Sequence, residues 1–243
     1  MEQAASWIAL VLLVLGIIAA VAGLLIHFFR ELLGLVGLIG HSLTPLAAED
    51  RSLEVHVCHS LTREIEVLHD RRGLSVHFML DVDGTIYQTL DLKERAWHAT
   101  TANSRSVGIE IAQAGAFPVP QRRNLEPWYT NDGSGIRLTF PDWIKETGIA
   151  TPGFVGRPAR PEPIIGKIQD SELIQYDFTP QQYAALARLV ATLNRALPKI
   201  RIEYPKDAEG KLVPRALSAD QLREHTGLLG HYHVQRGKVD PGP

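Results

Sequence analysis

The hydrophobic and polar positions divide the chain into two unlike stretches. From Trp7 to Ile26, twenty residues (WIALVLLVLGIIAAVAGLLI) run without a charge. At about 1.5 Å of rise per residue, a helix of that length spans roughly 30 Å, the thickness of a bilayer's hydrocarbon core. Trp7 at one end and His27, Phe28, Phe29 and Arg30 at the other have the character of interfacial anchors. The pattern therefore predicts a membrane helix over about 7–29, continued along the interface by LLGLVGLIG (32–40), with a linker opening at Thr44-Pro45. A cleaved signal peptide is the rival reading. Its apolar region is usually about 7–15 residues long and follows a basic start. Here the first residues are MEQAA, although Leu46-Ala47-Ala48 has the small residues of a cleavage site.

Beyond residue 50 the periodicity changes. Leu53, Val55 and Val57 alternate with Glu54, His56 and Cys58, a strand pattern that runs into His59-Ser60. TREIEVLHD (62–70) suits a short helix closed by Gly73, and SVHFMLDVDGTIYQTL reads as a hairpin turning at Asp83-Gly84. SVGIEIA (106–112) is a further strand. Thr179-Pro180-Gln181-Gln182 is a capping box with proline at the first helical position, followed by Leu186, Leu189, Val190, Leu193 and Leu197 on one helical face. Ser218 and Gln221 repeat the capping spacing before a second helix that ends near Gly227. Between strand and helix lies a proline- and glycine-rich stretch, roughly 117–175, too long for an ordinary loop in a compact domain and so read as an insertion. No internal repeat is evident. The division is an anchor and linker over 1–49 and one mixed α/β domain over 50–243, a length that can bury a substantial core.

Composition sharpens this picture in three ways. The net charge of −2, without a dense Lys/Arg patch, argues against a nucleic-acid partner, whose phosphates are bound by neutralisation. The single cysteine, Cys58, excludes an intramolecular disulfide framework. The mean hydropathy of −0.04 blends an apolar segment with a polar domain. Nine of the ten histidines stand at or after position 41. They gather as His56 and His59 around Cys58, Trp97-His98, and a tail, GHYHVQRGKVDPGP, that packs His231, His233, Lys238 and Asp240 into ten residues. Neutral imidazole and carboxylate are ordinary zinc ligands, and a catalytic zinc needs three of them plus an open position.

The run HFMLDVDGTIYQTLDLKERAWHATTANSRSVGIEIA, followed far downstream by GHYHVQRGKVDPGP, resembles the zinc-dependent N-acetylmuramoyl-L-alanine amidases of type 2, which share their fold with the peptidoglycan recognition proteins. The similarity covers roughly 53–116 and 179–243. It implies a central mixed β-sheet flanked by helices, with Zn2+ at one end of a substrate groove. Carried over position by position, it implies His56, His231 and Asp240 as zinc ligands and Glu110 and Lys238 as catalytic residues. Trp97, His98, Asn103 and Arg105 would be substrate-binding. Around His56 the motif also aligns with Cys58 or His59 in the ligand place. Where some relatives carry a tyrosine before the HF pair this chain has Val76, which leaves acid–base work to Glu110. The tail is one residue shorter between His231 and Lys238 than the commonest pattern.

The resemblance further implies hydrolysis of the amide between N-acetylmuramic acid and L-alanine in peptidoglycan or muropeptides. The alternative is a non-catalytic peptidoglycan-binding protein of the same fold. A third possibility is a phage-type lytic enzyme held inactive at the membrane until release. A membrane-anchored domain acting on peptidoglycan is expected on the outer side of the cytoplasmic membrane. Plainer roles are expected for the other histidines. His233 is read as structural or supporting a ligand, His77 as a packed strand residue, and His69 and His225 as solvent-facing on helices. Trp128, Tyr129 and Trp143 are read as a small satellite core of the insertion, with sugar stacking as the competing role.

Overall fold

The computed structural model describes residues 52–58, with side chains only at Ser52, Leu53 and Val55, and residues 73–243. The expected membrane helix, the linker, the helix over 62–70, and the residues His59 and His69 lie outside the described residues, as do the side chains of His56 and Cys58. Among the described residues, no helix is long and apolar enough to cross a membrane.

Ten strands are described: β1 (Ser52–Cys58), β2 (Phe78–Leu80), β3 (Ile86–Gln88), β4 (Ser106–Ala112), β5 (Phe117–Pro118), β6 (Tyr129–Asn131), β7 (Ile136–Leu138), β8 (Ile164–Ile168), β9 (Ser171–Gln175) and β10 (Leu228–Gly230). Three helices accompany them, α1 (Pro180–Ala196), α2 (Ala219–Glu224) and the single turn α3 (His231–Val234). The principal sheet has the order β10-β1-β4-β2-β3. β1 is parallel to both β10 and β4, β2 is parallel to β4, and β3 returns antiparallel through the expected hairpin. All seven residues of β4 are buried, which is why this strand, after Ser106, reads as apolar residues interrupted only by Gly108 and Glu110. Parallel strands covered on both faces lose the polar alternation of a half-exposed sheet.

α1 forms as its capping box predicts. Thr179 Oγ1 accepts from the Gln182 amide at 3.1 Å, and Gln182 Oε1 accepts from the Thr179 amide at 3.0 Å. The same two side chains tie the helix to the sheet. Thr179 Oγ1 donates to Val82 O at 2.7 Å, and Gln182 Nε2 donates to Ala112 O at 2.7 Å. Ala185, Leu189, Val190 and Leu193 supply the buried helical face. Leu186 instead shares an apolar cavity of ≈ 190 Å³ with Val55 and Ile111 of the sheet.

The stretch read from sequence as an insertion has its own structure. β5, β9 and β8 form a three-stranded sheet, β6 and β7 a hairpin, and Val119–Trp128 a 3-10 run broken at Gln121. Ala114, Leu125, Trp128, Tyr129 and Ile174 make its core. Trp143, which is half-exposed, packs edge-on to Trp128 with ring centroids 5.5 Å apart, so Trp128 and Tyr129 form the satellite core as expected and Trp143 only flanks it. A second cluster joins the insertion to the principal sheet, with Leu138, Phe140, Ile149 and Phe154 packed against Val76, Met79, Val82 and Ala112.

The stretch carrying His231 and His233 forms one helical turn, in which, at 3.6 residues per turn, positions two apart point to different sides. One local expectation is corrected. His225 is half-buried rather than solvent-facing, because α2 ends at Glu224 and its ring reaches Leu228 O at 3.3 Å.

Candidate active site

The parallel register assembles the candidate residues in one row. Gly230 of β10, Val55 of β1, Ile109 of β4 and Phe78 of β2 are successive partners across the sheet. One residue further along each chain come His231, His56, Glu110 and Met79, of which His56 pairs with Glu110 and Glu110 with Met79. Four residues distant in sequence thus reach one level because their strands run the same way. Glu110 is buried, and since side chains alternate, it shares its face of β4 with Gly108 and Ala112. The insertion packs on Ala112 and Met79 and so walls Glu110 on that side.

On the other side lies His98. A Cβ at Gly108 would come within 3.0 Å of three atoms of the His98 ring, so glycine here lets an imidazole lie against the backbone of the strand. His98 Nε2 stands 3.4 Å from Ser106 Oγ. Burial pushes the His98 imidazole down to about 3, and the neighbouring His77 and His231 push in the same direction, so the ring is neutral at any ordinary pH. His77 meets His98 edge-on at 6.4 Å. Both nitrogens of His77 are used inside the fold, since Nδ1 accepts from the Gly108 amide at 3.1 Å and Nε2 lies 3.1 Å from Glu94 O. Burial lowers its pKa too. It is packed in the interior as expected, one residue before β2.

At the end of the row, His231 Nδ1 lies 3.0 Å from Asp240 Oδ2. The backbone reinforces the pair, for the Tyr232 amide donates to Asp240 O at 3.2 Å. Two ligands each about 2.0–2.1 Å from a tetrahedral zinc ion stand roughly 3.3 Å apart, so the separation of these donors fits a shared divalent ion. An imidazole and a carboxylate are ordinary zinc ligand types. Among the described residues no third His, Cys, Asp or Glu joins them; the side chain of His56, expected as the third ligand, lies outside the described residues. His233 is structural, as expected. Its Nδ1 accepts from the Gly230 amide at 2.9 Å and its Nε2 lies 2.9 Å from Val213 O. Burial lowers its pKa to about 4.

The four expected substrate residues fall into two pairs. Trp97 is 51% exposed, and the Arg95 guanidinium lies 4.3 Å from its ring centroid, while His98 lies on the Glu110 face. Asn103 is buried, and its Oδ1 accepts from the amides of His98 and Ala99 at 3.0 and 2.6 Å. Arg105 donates to Leu222 O and, at 2.9 Å, to His225 O. Asn103 therefore folds the loop that carries His98, and Arg105 holds the end of α2. Lys238 is half-buried on the loop between His231 and Asp240. One tie to that loop, Gln169, carries no sequence signal. Only the weak alternation of IIGKIQDSELIQ, interrupted by Gly166, could have announced the hairpin at whose tip it sits.

The family model for N-acetylmuramoyl-L-alanine amidase (Amidase_2) matches residues 44–243. The chain belongs to this type 2 amidase family. No curated protein sequence matches it. Among solved structures, it is similar to the N-acetylmuramoyl-L-alanine amidase LysC of Clostridium intestinale, with 16% identity and a TM-score of 0.39 over 80% of this chain and 78% of that one. It is also similar to AmpDh3 of Pseudomonas aeruginosa, with 17% identity and a TM-score of 0.42 over 82% of this chain and 57% of that one. For AmiD of E. coli, solved with anhydro-N-acetylmuramic acid-L-Ala-D-gamma-Glu-L-Lys, the figures are 18%, 0.43, 81% and 55%. These structural likenesses are distant, and membership of the family rests on the match over 44–243.

Proposed function

We propose that the protein is a zinc-dependent N-acetylmuramoyl-L-alanine amidase that hydrolyses the amide between the lactyl group of N-acetylmuramic acid and L-alanine. The observation that carries this reading is the His231–Asp240 donor pair at 3.0 Å, set in one sheet row with His56 and Glu110. His231, Asp240 and His56 would hold the ion. When bound, Zn2+ supplies Lewis-acid polarisation of a carbonyl and lowers the pKa of water toward 7.

The chain's own residues do the rest. Glu110, buried beside the row, takes a proton from the attacking water and delivers it to the departing L-alanine nitrogen. Lys238 supplies positive charge to the oxyanion that develops at the carbonyl, a contribution that can reach a few kcal/mol in the transition state. His98, neutral because it is buried, offers a hydrogen bond without adding charge beside the metal ligands. The exposed face of Trp97 receives a sugar ring or the stem peptide. Asn103 and Arg105 serve substrate binding by shaping the loops around it. We further propose that residues 7–29 anchor the chain in the cytoplasmic membrane with the amidase domain on its outer side, where peptidoglycan lies.

The test is incubation of the full chain with a muramoyl-peptide and with sacculi. New L-alanine amino termini, together with peptide-free glycan, support the reading. Binding to sacculi with no bond cleaved, in the presence of added Zn2+, assigns the protein to recognition instead.

A further inference from the structure

The β8–β9 hairpin of the insertion reaches the ligand-bearing loop through one side chain. Gln169, at the hairpin tip, has φ of 53°, a left-handed conformation that is unfavourable for a non-glycine residue. Contacts hold it there. Its amide donates to Pro214 O at 2.6 Å. Its Nε2 donates to Lys238 O at 2.7 Å and to Gln235 O at 3.3 Å. A primary amide has two N–H donors, and here each carbonyl receives one.

Those two carbonyls bracket a tight turn. The Lys238 amide donates to Gln235 O at 3.3 Å, and Gly237 takes φ of 82°, as the third position of a type II turn requires. Ile168 and Leu173 of the same hairpin cluster with Tyr232 and Val239. Gly166 lies so close to Pro243 that a Cβ on it would stand 2.5 Å from the Pro243 Cβ. The hairpin thus touches the tail before, within and after the Lys238–Asp240 segment. The one-turn helix α3 could not fix that segment alone, since so short a helix has little stability of its own.

We propose that Gln169 is a positioning residue: by gripping both ends of the Gln235–Lys238 turn it sets where Lys238 and Asp240 stand relative to His231. The role given to that segment rests on the amidase reading above. The long insertion then has a purpose in the chemistry, for it buttresses the ligand loop at one end while walling Glu110 at the other.

The test uses the full chain with Gln169→Gly, which accommodates the backbone conformation but lacks the amide, and Gln169→Glu, which sets carboxylate oxygens against two carbonyls. Lys167→Ala, on an exposed position of the same hairpin, is the control. Hydrogen exchange at the amides of Lys238, Val239 and Asp240, measured without metal, is expected to accelerate in both Gln169 variants and not in the control. Co2+ binding, read from its visible spectrum, is expected to weaken on the order of tenfold, as when a residue supporting a ligand is lost. The kcat should fall while KM holds. Wild-type exchange and wild-type Co2+ affinity in both Gln169 variants would overturn the proposal. If the unmodified chain neither binds Co2+ nor cleaves substrate, the amidase reading fails on its own. Exchange then still decides the grip: acceleration supports it and no change overturns it.

Discussion

His231 Nδ1 and Asp240 Oδ2 stand 3.0 Å apart although eight residues of helix, turn and loop lie between them. The pair is held by backbone as well as side chains, through the Tyr232 amide on Asp240 O and the Gln169 amide on the turn between them. Under the proposed reading, an ion would meet two donors already in place, with little conformational entropy left to lose on binding.

Asp240→Asn keeps the shape and an acceptor oxygen for His231 but removes the negative charge. Zinc affinity should fall by more than about 100-fold, beyond the 10–100-fold typical of residues that merely support a ligand. Competition with a chromophoric chelator measures this. An unchanged affinity would show that the carboxylate is not a ligand.

Glu110→Gln is nearly isosteric and removes the proton acceptor. A fall in kcat of roughly 10²–10⁴ is expected, with zinc content of the purified chain unchanged. Loss of the metal along with the activity would contradict the assignment, because it would make Glu110 a ligand or a structural support.

Asp81, at the end of β2, is a third test, this one of stability. It is buried, its Oδ1 accepts from the Val82 amide at 2.7 Å, and its Oδ2 has no hydrogen-bond partner among the described residues. Burial pushes its carboxyl up to about 6, with Asp83 adding in the same direction. The folded state therefore binds more protons than the unfolded state between about pH 4 and pH 6, and the wild type loses stability as pH rises through that window. Asp81→Asn does not titrate. Its stability relative to wild type should improve by about 2–3 kcal/mol between pH 4 and pH 7. A difference that stays flat with pH, in parallel denaturant titrations, would show that Asp81 is not desolvated.

Residues 7–29 give a fourth expectation. The full chain should fractionate with membranes and resist an alkaline wash, and protease added from outside should reach the amidase domain. Release by the wash, or protection of the domain until the membrane is breached, would count against the anchor and the side of the membrane assigned to it.

The elements nearest the candidate chemistry were the most legible in the sequence, each for a local reason. The strand over 106–112, the hairpin at Asp83-Gly84 and the capping box at Thr179 rest on short-range pattern, and β4, β2–β3 and α1 stand where that pattern put them. The level shared by His56, Glu110 and His231 is not local. It follows from two parallel pairings between strands more than fifty residues apart, and nothing in the spacing of those residues encodes it. Asn103 and Arg105 could be marked by their motif, but not by the direction in which their polar atoms turn, which depends on the Trp97–Ala99 loop and on α2. The insertion was legible as an interruption only. Its strands are two to five residues long, and strands that short give too few alternations to separate from loop. Gln169 lies within it, at a hairpin tip where a glutamine looks like any polar turn residue.

Zinc dependence of the bond cleaved is the claim on which the rest depends. The full chain, stripped of metal with a chelator and then titrated with Zn2+, should release L-alanine amino termini from a muramoyl-peptide at a rate that rises from background and saturates at one equivalent of zinc. Release at the full rate from the stripped chain, indifferent to added Zn2+, would contradict it.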